Sequence, residues 1–144
     1  MQLASDTQAL PWAPVAPGYS FKALHASPDA PEWVLLLRFE PGTVVPRHRH
    51  TGEVHAYTLT GQRKLLDTGE VVAAGGYVYE APGNVDTWMA VGDEPLIAFV
   101  TVRGAVEYLD EHGEVARRTT AATSYEHYQR FLASRQEAAS HSGS

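Results

Sequence analysis

The chain has 144 residues, 44% of them apolar and none of them cysteine, which fits one compact domain of roughly 100 to 150 residues and argues against two. Its 17 acidic residues against 11 basic ones give a formal charge of −6, so the broad positive field that nucleic acid or an anionic membrane surface requires is missing. With no cysteine, disulfides, thiolate metal sites and cysteine nucleophiles are excluded, and the seven histidines must carry any argument for a metal.

No apolar run approaches the ~18 residues of a membrane span, and the start lacks the basic and apolar regions of a secretory signal, so a cytoplasmic protein is expected. Residues 1–20 hold Pro11, Pro14, Pro17 and Gly18 around a lone Trp12, which predicts an extended arm that Trp12 packs down. The run Trp33 to Phe39, bounded by Pro31 and Pro41-Gly42, is too short for a typical helix and predicts a buried strand over 32–39. Turn signals then recur about every eight to ten residues, at Thr51-Gly52, Thr60-Gly61, Asp67-Thr68-Gly69, Gly75-Gly76, Pro82-Gly83 and Gly92-Asp93. The segments between them, His55 to Leu59, Val71 to Ala73, Tyr77 to Tyr79, Thr87 to Ala90 and Leu96 to Val102, predict a small all-β antiparallel sandwich or barrel over 21–118. In the remaining stretch, 119–144, Thr123-Ser124-Tyr125-Glu126 offers a capping box. Tyr125, Tyr128, Phe131 and Leu132 recur at helical spacing to about Ala138, predicting a helix whose aromatic stripe packs on the barrel, with His141 to Ser144 as a loose tail.

His48 and His50 alternate on one face of an extended strand, because side chains two residues apart point the same way. The excursion Thr51 to Val54 allows a turn that returns a third imidazole, His55, toward the same point, placing three histidines within eight residues. A lone histidine is more often a surface or satisfied core residue; this clustering points to a divalent transition metal. Nitrogen-rich ligation suits iron, zinc, nickel or copper better than magnesium or calcium.

The stretch Gly42-Thr43-Val44-Val45-Pro46-Arg47-His48-Arg49-His50, followed by His55 and Gly61, resembles the first cupin motif, with His55 where many cupins have glutamate. Gly75 through Asp86 resembles the second, with Asp86 where the family usually has histidine. More narrowly, His48 to Gly61 together with Tyr77-Val78-Tyr79-Glu80 is similar to the 2,4'-dihydroxyacetophenone dioxygenase and acetylacetone-cleaving dioxygenase group, akin to the ChrR-like cupins. The resemblance spans about residues 10–115. It implies a single-domain jelly-roll barrel with a mononuclear non-haem metal, most readily Fe(II) with zinc or nickel as alternatives, and cleavage of a carbon–carbon bond in a small dicarbonyl or hydroxyketone by O2. His48 and His50 carry over as ligands and His55 as a motif position; Asp86 departs from the family pattern, either as an anionic ligand completing a two-His-one-carboxylate set or as the mark of a site that has lost the family activity, and ligation is the reading favoured. The resemblance also implies a homodimer.

Around that centre, Glu80 reads as an acceptor for a ligand imidazole or as a solvated strand-end carboxylate, and Tyr57 as a substrate-orienting hydroxyl or as core filling. Trp88, Phe99 and Thr101, with Ile97, are candidate pocket walls if they share the inward face. Arg38, in a very apolar strand, either clamps an acidic substrate or reaches to the rim. Arg63 and Lys64 have a weaker claim, since hairpins commonly carry solvated basic residues, and His25, His112 and His127 read as non-ligands. Two other functions fit the same residues: a non-oxidative cyclase, dehydratase or isomerase that uses the metal as Lewis acid or Asp86 as general acid/base, and a non-catalytic metal or small-ligand sensor.

Overall fold

The computed structural model describes residues 3–142. After a 3-10 turn at Thr7–Ala9, twelve strands follow in chain order: β1 Ala13–Ala16, β2 Tyr19–His25, β3 Glu32–Phe39, β4 Val44–His50, β5 Val54–Thr60, β6 Gln62–Leu65, β7 Val71–Ala73, β8 Tyr77–Glu80, β9 Val85–Val91, β10 Leu96–Arg103, β11 Val106–Leu109 and β12 Val115–Thr119. A helix, α1, spans Ala121–Ser142. The strands form two six-stranded antiparallel sheets, ordered β1-β2-β3-β10-β5-β8 and β12-β11-β4-β9-β6-β7. Among the described residues no helix is long and apolar enough to cross a membrane.

The two sheets face each other across apolar side chains at alternating positions, as period-two burial requires. One cluster gathers Phe21, Trp33, Leu35, Val54, Ala56, Val100 and Val102 beneath α1, and a second gathers Phe39, Val45, Trp88, Ala90 and Leu96. Between them the side chains do not close, and a cavity of about 290 Å³ remains, reached from both clusters and from β4, β6 and β11.

The N-terminal segment is more ordered than its prolines predict. Asp6 Oδ1 accepts a hydrogen bond from Gln8 N at 3.0 Å, capping the 3-10 turn, and β1 then pairs along β2. Because Pro11 and Pro14 keep their carbonyls though they lack an N–H, they serve as acceptors. Tyr128 Oη donates to Pro11 O at 2.7 Å, and His127 Nε2 lies 3.0 Å from Pro14 O. Lys22 is held beneath the same segment, donating to Thr7 O at 2.8 Å with its ammonium 4.6 Å from the Trp12 ring centre. The helix begins earlier than the Thr123 box predicts, because the reciprocal bonds are made by Thr120 and Thr123: Thr120 N donates to Thr123 Oγ1 at 2.8 Å and Thr123 N to Thr120 Oγ1 at 3.2 Å. Tyr128 is buried and packs 5.5 Å from Phe21 between ring centres, with Phe131 and Leu132 against the same core. The helix runs on through positions 141 and 142, where a loose tail was expected; Gly143 and Ser144 lie outside the described residues.

The tight turn between β5 and β6 rests on Gly61, at φ +75°. A Cβ there would stand 2.5 Å from the carbonyl oxygen of Pro95, so both the backbone conformation and the space exclude other residues. Gly61→Ala is expected to cost about 2 kcal/mol or more and to lower the melting temperature by roughly 4 °C or more, read by calorimetry; an unchanged melting temperature would contradict the turn geometry.

Candidate metal centre

Strand β4 carries the two imidazoles inward. A bulge after Val45 absorbs Pro46 and Arg47, so that His48 lies opposite Asp86 of β9 on one side and opposite Tyr108 of β11 on the other. His48 and His50 are both buried, line the cavity, and stand edge to face with ring centres 4.9 Å apart. His48 Nδ1 is 2.7 Å from the carbonyl of Pro46. A carbonyl only accepts, so Nδ1 bears the proton and Nε2 keeps its lone pair free, the arrangement by which outer partners orient metal-binding histidines. Burial holds the His48 imidazole below its ordinary pKa, against the upward pull of the Pro46 bond and Glu80, so the ring is neutral at pH 7, as a metal ligand must be. His50 Nε2 lies 3.3 Å from Glu80 Oε2, and His50 Nδ1 is buried without a hydrogen-bond partner.

Glu80, at the end of β8, is buried and also accepts from Asn84 Nδ2 at 2.8 Å. Burial alone would raise its pKa; the bonds from His50 and Asn84 outweigh that and hold it below the ordinary value, so it is a fixed anion. Asp86 is buried on the inward face of β9 with Trp88 and Ala90. Its pKa is raised, chiefly by burial and then by the charge of Glu80, against the downward pull of the Arg63 charge and of a hydrogen bond from the Thr87 backbone. Arg63 enters from β6, opposite Ala90, and is only 4% exposed. Its guanidinium carbon lies 4.9 Å from the Trp88 ring centre, and its Nε and Nη2 are buried with no partner.

The alternation places several expected residues elsewhere. Val54, Ala56 and Thr58 are the buried set of β5, so His55, Tyr57 and Leu59 point out of the barrel. This corrects the expectation that His55 returns to His48 and His50. Its strand starts one residue before it, and the apolar Val54 takes the inward position. His55 Nδ1 instead lies 2.6 Å from Tyr77 Oη, and Nε2 3.7 Å from Glu53. Tyr57 is 46% exposed and orients nothing inside the cavity. On β10 the inward set is Leu96, Ala98, Val100 and Val102, which leaves Phe99, 37% exposed, and Thr101, opposite His55, on the outer face with Ile97. Arg38 is likewise outward, 2.6 Å from Glu40. Trp88 does line the cavity.

Arg63, Tyr108 and Asn84 are the residues that sequence reasoning passed over or ranked low. The four-residue strand Gln62-Arg63-Lys64-Leu65 alternates, and Leu65 marks the inward parity that Arg63 shares. That was the available signal. Tyr108, whose ring centre is 5.8 Å from that of His48, had no local cue, since its strand follows the last regularly spaced turn.

Among the described residues no three His, Asp or Glu side chains are already gathered closely enough to grip a metal ion. The pair of imidazoles is assembled, though, with one tautomer fixed and one buried nitrogen lacking a partner, and two buried carboxylates lie in the same interior. This donor set is chemically suited to a divalent transition metal.

Two facing antiparallel sheets with a histidine pair projecting from one strand into the space between them define a cupin. The pattern that describes the ChrR cupin-like domain matches residues 1–107, and the chain belongs to that family. Among solved structures it is similar to an RmlC-like cupin protein from Ralstonia eutropha JMP134, at 30% identity and a TM-score of 0.83, covering 90% of this chain and 85% of that one. An acetylacetone dioxygenase from Acinetobacter johnsonii shares 16% identity at a TM-score of 0.77, covering 91% of this chain and 92% of that one. The polyketide cyclase RemF from Streptomyces resistomycificus shares 17% at 0.60, covering 91% and 99%. These last two speak to the shared fold alone. No curated protein matches the chain.

Proposed function

We propose that the chain is a mononuclear metal-dependent oxygenase that cleaves a carbon–carbon bond of a small dicarbonyl or hydroxyketone. The observation that carries this reading is the neutral, preset His48 beside His50 in a cavity that Glu80 also lines, with Asp86 buried opposite His48 on the neighbouring strand. His48, His50 and Asp86 are the proposed ligands, with Asp86 chosen over Glu80 because Glu80 is already held by His50 and Asn84 whereas Asp86 lies directly opposite His48. A bound divalent ion supplies Lewis acidity toward the substrate oxygens and a meeting place for O2.

The protein's own part is orientation and exclusion. Pro46 and Glu80 fix the two imidazoles, and Asn84 fixes Glu80. Phe39, Leu37, Val45, Trp88 and Leu96 form a wall that keeps bulk water from the reacting carbon. At about 290 Å³ the cavity is at the lower end of the ~300–1,000 Å³ range of ligand pockets, which selects a metabolite-sized substrate. The overall balance is one substrate and one O2 giving two fragments that each keep one oxygen atom, with no external reductant.

Fe(II)-reconstituted protein given a panel of small diketones and hydroxyketones in an oxygen electrode is expected to consume about one O2 per substrate. Turnover of the same panel without oxygen would instead support the non-oxidative reading, which the raised pKa of Asp86 favours as a proton carrier. No reaction in either condition, with metal bound, would leave the sensor reading standing and sink the enzyme.

A further inference from the structure

Arg63 lines this cavity deep beside Trp88, and the proposed chemistry leaves it without work. An arginine that is 4% exposed, with its guanidinium carbon 4.9 Å from the Trp88 ring centre and its Nε and Nη2 without partners, is an unusual thing to bury. Burying unpaired donors costs free energy unless something in the occupied state accepts from them. Glu80 and Asp86 are near enough to influence its charge, yet neither bonds to it. Nε and Nη2 of one guanidinium lie on the same edge, spaced to meet the two oxygens of a carboxylate in parallel.

Arg117 and Arg118 also line this cavity, but Arg118 is held by Glu107 and Arg117 lies over the Tyr108 ring, which leaves Arg63 as the lining cation with buried, unpartnered donors among the described residues. The wall nearest Arg63 and Trp88 is built from Phe39, Val45 and Leu96, and the volume admits a short chain only.

We propose that the substrate is a short oxo acid whose carboxylate is anchored by the Nε and Nη2 edge of Arg63, leaving its carbonyl end toward His48 and His50. This deepens the preceding reading in naming the substrate class, and it rests on that reading for the position of the carbonyl, though not for the anchor. Arg63 is thereby a specificity-determining residue.

Acetoacetate and acetylacetone make the test, because they have the same number of heavy atoms and differ in a carboxylate oxygen replacing a methyl group. Binding of each is measured by calorimetry, with quenching of tryptophan emission as a second readout, on metal-stripped and on zinc-loaded full-length protein. Zinc supports no oxygen chemistry, so occupancy is read without turnover. Wild-type protein is expected to favour acetoacetate by at least about tenfold, the range of a charge-assisted bidentate contact. Arg63→Gln is expected to lose that preference while its zinc content is unchanged, and Arg63→Lys to keep part of it. Equal affinities for the two ligands in the wild type, or the same preference in folded Arg63→Gln, would overturn the anchor. Should Arg63→Gln fail to fold, the wild-type comparison and Arg63→Lys still decide. Absence of zinc from His48 and His50 with the acetoacetate preference intact would remove the metal reading and leave the anchor standing.

Discussion

Exchanging His48 or His50 for alanine is expected to lower the affinity for Fe(II) or Zn(II) by at least about 100-fold, beyond what the loss of an outer partner alone does to a metal site. The two rings are the only imidazoles among the described residues that line the cavity beside Glu80, apart from His127 of the helix. Each replacement also removes a fixed contact, the Pro46 carbonyl bond for His48 and the Glu80 contact for His50, so nothing nearby can take over. Metal content after dialysis, measured by elemental analysis on protein shown to be folded by circular dichroism, checks this. His55→Ala is the matched control: its ring is outside the barrel against Tyr77, and its metal content is expected to equal that of the wild type. Retained stoichiometric metal in either His48→Ala or His50→Ala would refute the site.

The second large effect is expected at Asp86, and it has two opposite parts. Asp86→Asn removes the proposed anionic ligand, and metal affinity is expected to fall at least tenfold, the lower bound for losing even an outer partner. Without metal the same change is expected to stabilise the protein. The native carboxyl titrates above its ordinary 3.8 because it is buried beside Glu80. Its contribution to stability is therefore complete below 3.8 and is lost as pH rises through the native value, so at neutral pH the buried charge opposes folding. Melting temperatures of stripped wild type and Asp86→Asn should coincide at low pH and separate as pH rises, the variant melting higher. A constant offset across the range, or a variant that keeps full metal affinity, would contradict the role given to Asp86.

How far these features were readable from the chain depends on parity. Turn residues at regular intervals delimit strands well, since glycine and proline act locally, and β3, β7 and β10 fall where Pro41-Gly42, Gly75-Gly76 and Gly92-Asp93 place their ends. Which face of a strand is inward is a different matter, because one residue of slippage turns every side chain over. For β4 the pair His48 and His50 fixes its own relative orientation. For β5, where Val54, Ala56 and Thr58 compete with His55, Tyr57 and Leu59, both sets are partly apolar, and the choice is made by packing against Ala98 and Val100 of the neighbouring strand. The same ambiguity moved Phe99 and Thr101 outward. Arg63 was undervalued for the reverse reason: a charged residue beside a turn is ordinarily solvated, and only the pairing of β6 with β9 brings it over Trp88. Short strands such as β1, β11 and β12 have too few residues to show a period, and the helix start at Thr120 was hidden by a second Thr three positions on.

Crystals of the metal-loaded protein, with anomalous diffraction recorded on both sides of the metal absorption edge, test the central claim most directly. The account predicts a single strong peak inside the barrel, about 2.0–2.2 Å from one ring nitrogen of His48, one of His50 and a carboxylate oxygen of Asp86. A peak beside His55 and Tyr77 on the outer face, or loaded protein with no peak between the two sheets, would contradict it.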